Sequence, residues 1–111
     1  MTGPDGYLYI SEFHAGKIAR VTTAGVIQRE WALTKQSYPK GVAIGSDGNL
    51  YVAEFGTSKI AELVLSGSGS GTINEFSTLT GGSGPWNLVR GPDGNIWFTE
   101  SSKDKIGELV I

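Results

Sequence analysis

Three glutamates, Glu12, Glu54 and Glu100, each stand five residues before a lysine, at Lys17, Lys59 and Lys105, in a recurring E-x-x-x-x-K unit. Brought to one mouth of a channel, the three carboxylates could hold a divalent ion through oxygen ligands. Each could instead pair with its own lysine across a hairpin, an exposed contact worth about 0.2–1 kcal/mol, and structural pairing is the preferred reading. His14 is the single histidine of the chain, so one chain has no histidine pair to ligate a metal. As a loop imidazole it is a candidate base or ligand, although a Ser-His-Asp arrangement would need an oriented partner. Lys40 in "YPKGVA" and Trp86 in "GPWNLV" occupy matching positions. A cation beside an aromatic face suits a small polar or sugar-like ligand.

Other chemistries are excluded or disfavoured. The absence of cysteine removes thiolate catalysis, disulfides and cysteine-ligated zinc. The formal charge is −2 and the nine Lys and Arg are scattered, which argues against nucleic acid as a partner. "SGSGSG" at 66–71 lacks the G-x-G-x-x-G spacing of a dinucleotide-binding loop and has no helix to follow it, so it reads as a flexible loop. Asp-Gly pairs at 5–6, 47–48 and 93–94 lack the D-x-D-x-D-G run of a calcium loop and read as turns. The N-terminus has neither a basic nor an apolar leader region, and no apolar run nears the ~20 residues of a membrane span. A cytoplasmic protein with no membrane partner is expected.

The elements that must position these residues are short strands. The three Asp-Gly pairs are separated by 42 and then 46 residues, and the three lysines repeat both spacings. "NLYVAE" and "NIWFTE" are rich in β-branched and aromatic residues and apolar on both faces, as in a sheet packed between two neighbours. "KIAEL", "KIGEL", "TINEF" and "VIQREW" alternate in the manner of half-buried strands. Seventeen glycines interrupt every window long enough for a helix.

Repeats of this length built from strands are the mark of propeller blades, each a four-stranded antiparallel meander. From the axis outward the strand types run "PKGVAIG", "NLYVAE", "KIAEL", "TINEF". Ten strands are then expected: a first blade without its innermost strand over 1–37, a whole blade over 38–83, and a third without its outermost strand over 84–111. A ring needs about four blades or more, so about two and a half blades mean either a fragment of a longer propeller or several chains completing one ring through a heterologous interface, and completion by oligomerisation is the favoured expectation. A dimer is the favoured homo-oligomer and a trimer the other geometry. Lys40 and Trp86 fall where innermost strands enter the channel.

The repeat, strongest in "GPDGNIWFTE" with "KIGEL" and in "PKGVAIGSDGNLYVAE" with "KIAEL", resembles the blade of the virginiamycin B lyase, or streptogramin lyase, family. More loosely it is similar to NHL-repeat propellers. The resemblance implies a seven-bladed propeller that opens a cyclic depsipeptide antibiotic by elimination with magnesium. It also implies a catalytic His and a Tyr at the second position of innermost strands, where this chain has Lys40 and Trp86. A carboxylate ending a second strand belongs to the metal site in that family, and Glu12, Glu54 and Glu100 all match that position.

No catalytic residue is therefore assigned, and no cofactor is expected outside the lyase reading, which would need magnesium. The expectation is an all-β, self-assembling propeller unit acting as a scaffold or small-ligand binding module. Lys40, Trp86 and His14 are its candidate ligand residues, and Glu12, Glu54 and Glu100 its candidate metal residues. The alternative is a magnesium-dependent lyase.

Overall fold

The computed structural model describes residues 1–78 and 81–111. Among the described residues ten strands form three antiparallel sheets. The first contains β1 (Leu8–Glu12), β2 (Lys17–Val21) and β3 (Ile27–Ala32), in that order. The middle sheet runs β4 (Pro39–Ile44), β5 (Leu50–Glu54), β6 (Lys59–Leu63), β7 (Ile73–Ser77). The third contains β8 (Pro85–Arg90), β9 (Ile96–Glu100) and β10 (Lys105–Leu109), with β9 central. The described residues contain no helix, hence none long and apolar enough to cross a membrane. The expected all-β blade architecture is the observed one.

Asp-Gly fixes where each second strand begins. Asp47 Oδ1 accepts the Asn49 amide at 3.0 Å, Asp93 Oδ1 accepts that of Asn95 at 3.0 Å, and Asp5 Oδ1 that of Tyr7 at 3.1 Å. The glycine that follows takes φ of +84°, +82° or +85°, a conformation that costs glycine little and most residues much more. The same aspartates accept the hydroxyls of Tyr9 and Tyr51 at 2.5 and 2.6 Å. The turn is thereby tied to a core aromatic four residues on. At the N-terminus Thr2 bridges Leu8, the pairing that Ile44 makes with Leu50 in the middle sheet.

The sheets pack face against face, with β4 beside β8 and β1 beside β4. Two cores result. Tyr9, Ile18 and Trp31 of the first sheet meet Leu50, Val52, Ala61 and Leu63 of the middle one. Tyr51, Ala53 and Ile60 on the other side of the middle sheet meet Ile96 and Phe98 of the third. Strand β5 is buried along its whole length, since alternate residues face the two neighbours. At about 1.5–3 kcal/mol for each large apolar side chain fully buried, these two junctions hold the molecule together.

Candidate functional site

Strands β1, β5 and β9 finish at the end of the molecule where β4 and β8 begin. Both innermost strands open with an irregularity, between Pro39 and Val42 and between Pro85 and Leu88. Bulges of this kind re-aim side chains, and the residues inside them are Lys40–Gly41 and Trp86–Asn87. Hydroxyls from neighbouring strands hold the bulges: Ser11 Oγ donates to the Lys40 carbonyl at 2.7 Å, and the Asn87 amide donates to Thr99 Oγ1 at 3.2 Å. Gly41 permits the close approach of the two bulges, because a Cβ there would stand 3.0 Å from Asn87 Cα and from the Trp86 carbonyl oxygen.

The bulges place the Lys40 ammonium between two rings, 3.9 Å from the centroid of Phe13 and 4.0 Å from that of Trp86. Cation–π contacts of this geometry are worth about 0.5–2 kcal/mol each. Phe13 also stacks on Tyr38 at 5.2 Å and meets His14 edge-on at 4.8 Å, while Phe55 meets Trp86 edge-on at 5.2 Å. Tyr38 has φ +44° where the matching residue of the next repeat is Gly84, at +58°. A bulky residue in that region is strained, and such strain clusters at functional sites. Three of the residues singled out in the sequence are therefore joined in one row of contacts, His14 to Phe13, Phe13 to Lys40 and Lys40 to Trp86. Phe13, Tyr38 and Phe55 were missed by sequence reasoning, although Phe13 and Phe55 immediately follow the repeated glutamate.

The glutamates behave differently. Glu12, Glu54 and Glu100 stand opposite Lys17, Lys59 and Lys105 in register, but each has one buried oxygen without a hydrogen-bond partner: Glu12 Oε1, Glu54 Oε2 and Glu100 Oε1. Glu54, fully buried, accepts from Thr57 Oγ1 at 2.5 Å through its other oxygen. Its neighbour is a second carboxyl. Burial first, and then a hydrogen bond with Glu75, push Glu54 up to about 8. That hydrogen bond, together with bonds from Thr34, holds Glu75 below its ordinary value against the effect of its own burial. Glu75 takes the Thr34 hydroxyl on both oxygens, at 2.8 and 2.9 Å, and so ties the middle sheet to the loop that leaves the first. Glu12 is likewise raised, chiefly by a hydrogen bond with Glu30. The orphaned Glu54 oxygen is resolved if it carries the proton and donates it to Glu75.

A proton shared within such a carboxyl pair competes with a metal ion for the same oxygens. The three predicted metal residues lie on three separate sheets. Among the described residues no group of three or more His, Asp or Glu side chains is placed to hold a metal ion.

Over residues 1–111 the chain matches the model of the Virginiamycin B lyase family. Among solved structures it is similar to a streptogramin B lyase, with 30% identity and a TM-score of 0.81 over 96% of this chain and 34% of that one. It is also similar to virginiamycin B lyase from Staphylococcus aureus, with 32% identity and a TM-score of 0.83 over 100% of this chain and 40% of that one. A catalytically inactive form of the Staphylococcus aureus enzyme with quinupristin matches at 28% identity and a TM-score of 0.80, over 100% of this chain and 40% of that one. The chain thus spans between 34% and 40% of the length of these structures. A search of curated proteins gives no match.

Proposed function

Because this chain belongs to the virginiamycin B lyase family, we propose that it is a propeller unit that binds a small polar ligand at the end carrying Lys40, Phe13 and Trp86, without elimination chemistry. The observation that carries this reading is the ammonium of Lys40 held between two aromatic rings at 3.9 and 4.0 Å. The two positions matching the family's catalytic pair are filled by a donor-only cation and an indole, neither of which is an imidazole base. Tyr38, His14 and Phe55 extend the aromatic wall, and aromatic walls with a few polar groups are the usual make-up of a small-ligand site. Self-association, with a dimer favoured, completes the ring in this reading and covers the exposed Val89 and Ile106 of the third sheet.

One observation favours the second reading, a magnesium-dependent lyase: a relative with the same blade fold is a virginiamycin B lyase whose inactive form is seen with quinupristin. Incubating the chain with quinupristin and Mg²⁺ and following ring opening by mass spectrometry separates the two. The binding reading expects no linear product, together with a saturable change in tryptophan emission that Trp86→Phe removes and Lys40→Ala weakens. Linear product that disappears with chelator would establish the lyase instead. Light scattering over a dilution series tests the assembly, with a persistent multiple of 11.7 kDa expected and a monomer counting against it.

A further inference from the structure

The first and middle sheets depart from one another at one cross-strand pair. In the middle sheet Glu62 of β6 stands opposite Asn74 of β7. Asn74 Nδ2 donates to Glu62 Oε1 at 3.1 Å, while Asn49 Nδ2 and the Tyr51 hydroxyl donate to Oε2 at 2.9 and 3.1 Å. In the first sheet the same places hold Arg20 of β2 opposite Arg29 of β3, with a register shift directly after Arg20. Like charges set directly opposite each other across an antiparallel pair are destabilising. Among the described residues no acidic side chain forms an ion pair with either guanidinium. The Asp5 carboxylate of this sheet is taken up by the Tyr7 amide and the Tyr9 hydroxyl.

Both guanidinium groups lie against one indole whose own donor is unmet. Arg29 Cζ is 4.9 Å from the centroid of Trp31, and Arg20 Cζ is 5.5 Å from it and 4.9 Å from that of Tyr7. Trp31 is 7% exposed, and its Nε1 is buried without a partner, as is Arg20 Nε. A second departure from the repeat comes to the same place. The connection from β6 to β7, residues 64–72, has nine residues where that from β2 to β3, residues 22–26, has five. Gly71, near its end, faces the indole: a Cβ there would have Arg29 Nη2 at 3.6 Å and Trp31 Nε1 at 3.7 Å as its nearest neighbours. The loop thus leaves a methyl-sized gap in front of these two donors.

We propose that Arg20, Arg29 and the Trp31 indole N–H form a binding site for a phosphoryl dianion, as free phosphate or as a phosphate monoester, at the outer rim between the first and middle sheets. Charge selects the ligand. Two guanidinium groups without a counter-ion match a group that carries about −1.5 to −2 at pH 7, whereas a carboxylate would leave one of them unpaired. Their planar forks donate in pairs to oxyanions of this kind. The indole N–H adds a third donor, which now forgoes a hydrogen bond. Stacking on Trp31 and Tyr7 holds the guanidinium groups in place beforehand, so little side-chain freedom is lost on binding. The serines and glycines of residues 66–71 let the loop yield as the anion reaches the indole.

The probe is inorganic phosphate, titrated onto the full chain at neutral pH and constant ionic strength. The indole N–H resonance of Trp31, assigned by elimination with Trp86→Phe and Trp97→Phe, should shift and saturate at millimolar phosphate or below. Acetate should need at least a tenfold higher concentration. Arg29 is exposed, so Arg29→Gln should fold, and it should raise the half-saturating phosphate concentration at least tenfold, as expected for loss of a charged hydrogen bond. Phosphate should also raise the unfolding temperature of the unaltered chain more than that of Arg29→Gln. Glycerol phosphate separates the two sources: tighter binding than phosphate assigns the site to a monoester, weaker binding to the free ion, and either supports it. No saturable shift of the Trp31 resonance, an equal response to acetate, or an unchanged affinity in Arg29→Gln overturns the proposal. Arg20 lies near the end of β2, away from the end of the molecule where Lys40 opens β4. Failure here would therefore leave the ligand reading standing.

Discussion

The two junctions between sheets use the same residue positions and differ in what covers their outer rim. Between the first and middle sheets the outer-strand aromatic, Trp31, is 7% exposed, with Leu65, just after β6, and Ile73 of β7 against the same core. Between the middle and third sheets its counterpart, Phe76, is 40% exposed, with no fourth strand against β10 among the described residues. The inner parts of the two junctions are alike, with Tyr9 and Ile18 at one and Tyr51 and Ile60 at the other. The second and third strands of a blade are thus enough to bury the inner core. The outermost strand of the following blade closes the rim.

Trp31→Ala and Phe76→Ala turn that difference into free energies. Trp31 is buried and is approached by Arg29 at 4.9 Å and Arg20 at 5.5 Å, so its removal leaves a cavity and two unstacked guanidinium groups. A loss of about 3–5 kcal/mol is expected in urea unfolding at pH 7. Phe76→Ala should cost about 1 kcal/mol, in keeping with a side chain only partly removed from water. Equal losses would mean that the rim of the second junction is already covered in solution.

The carboxyl pair at the covered junction adds a pH dependence. Glu54 rises from an ordinary 4.5 to about 8, so between those values the folded state holds a proton that the unfolded state has released. Stability then falls as pH rises from 4.5 to 8, and levels off above. The slope is at most about 1.4 kcal/mol per pH unit, where only the folded state is protonated. Glu75, depressed, acts in the opposite sense and loses its contribution as pH falls below 4.5. Glu54→Gln should flatten the alkaline limb while keeping a hydrogen bond to Glu75. A slope unchanged in Glu54→Gln would assign the effect to another group.

Much of this was legible in the sequence because it is set by neighbours in the chain. Asp-Gly turns and alternating apolar runs placed the strands at or within a residue of their observed bounds: "KIAEL" is β6, "KIGEL" is β10 and "TINEF" begins one residue before β7. The repeat made the blade type readable from a single chain. The sites were harder, because their contacts join residues far apart in sequence. Lys40 reaches back 27 positions to Phe13 and forward 46 to Trp86, through bulges that no local spacing announces. Glu30 and Glu75 were visible as the repeated glutamate of "REW" and "NEF". Their proximity to Glu12 and Glu54 follows only once the second and outermost strands are seen to bracket a third whose facing residue is alanine.

The smallest expected effect comes from two serines at matching places, one at each junction. Ser37 precedes β4 and Ser83 precedes β8, and both are fully buried. Their carbonyls do the same work, accepting the amides of Gly56 at 2.8 Å and Ser102 at 3.0 Å. Their hydroxyls do not: Ser83 Oγ meets Thr78 Oγ1 at 2.7 Å, whereas Ser37 Oγ is buried without a partner. Removing a buried hydroxyl that bonds a neighbouring hydroxyl should cost about 1 kcal/mol, while removing one that has already forfeited its hydration should cost nothing or stabilise slightly. Ser83→Ala is therefore expected to lower the unfolding midpoint and Ser37→Ala to leave it in place or raise it. If Ser37→Ala destabilises as much as Ser83→Ala, its hydroxyl has a partner in solution, and the two junctions are more alike at this end than at their outer rim.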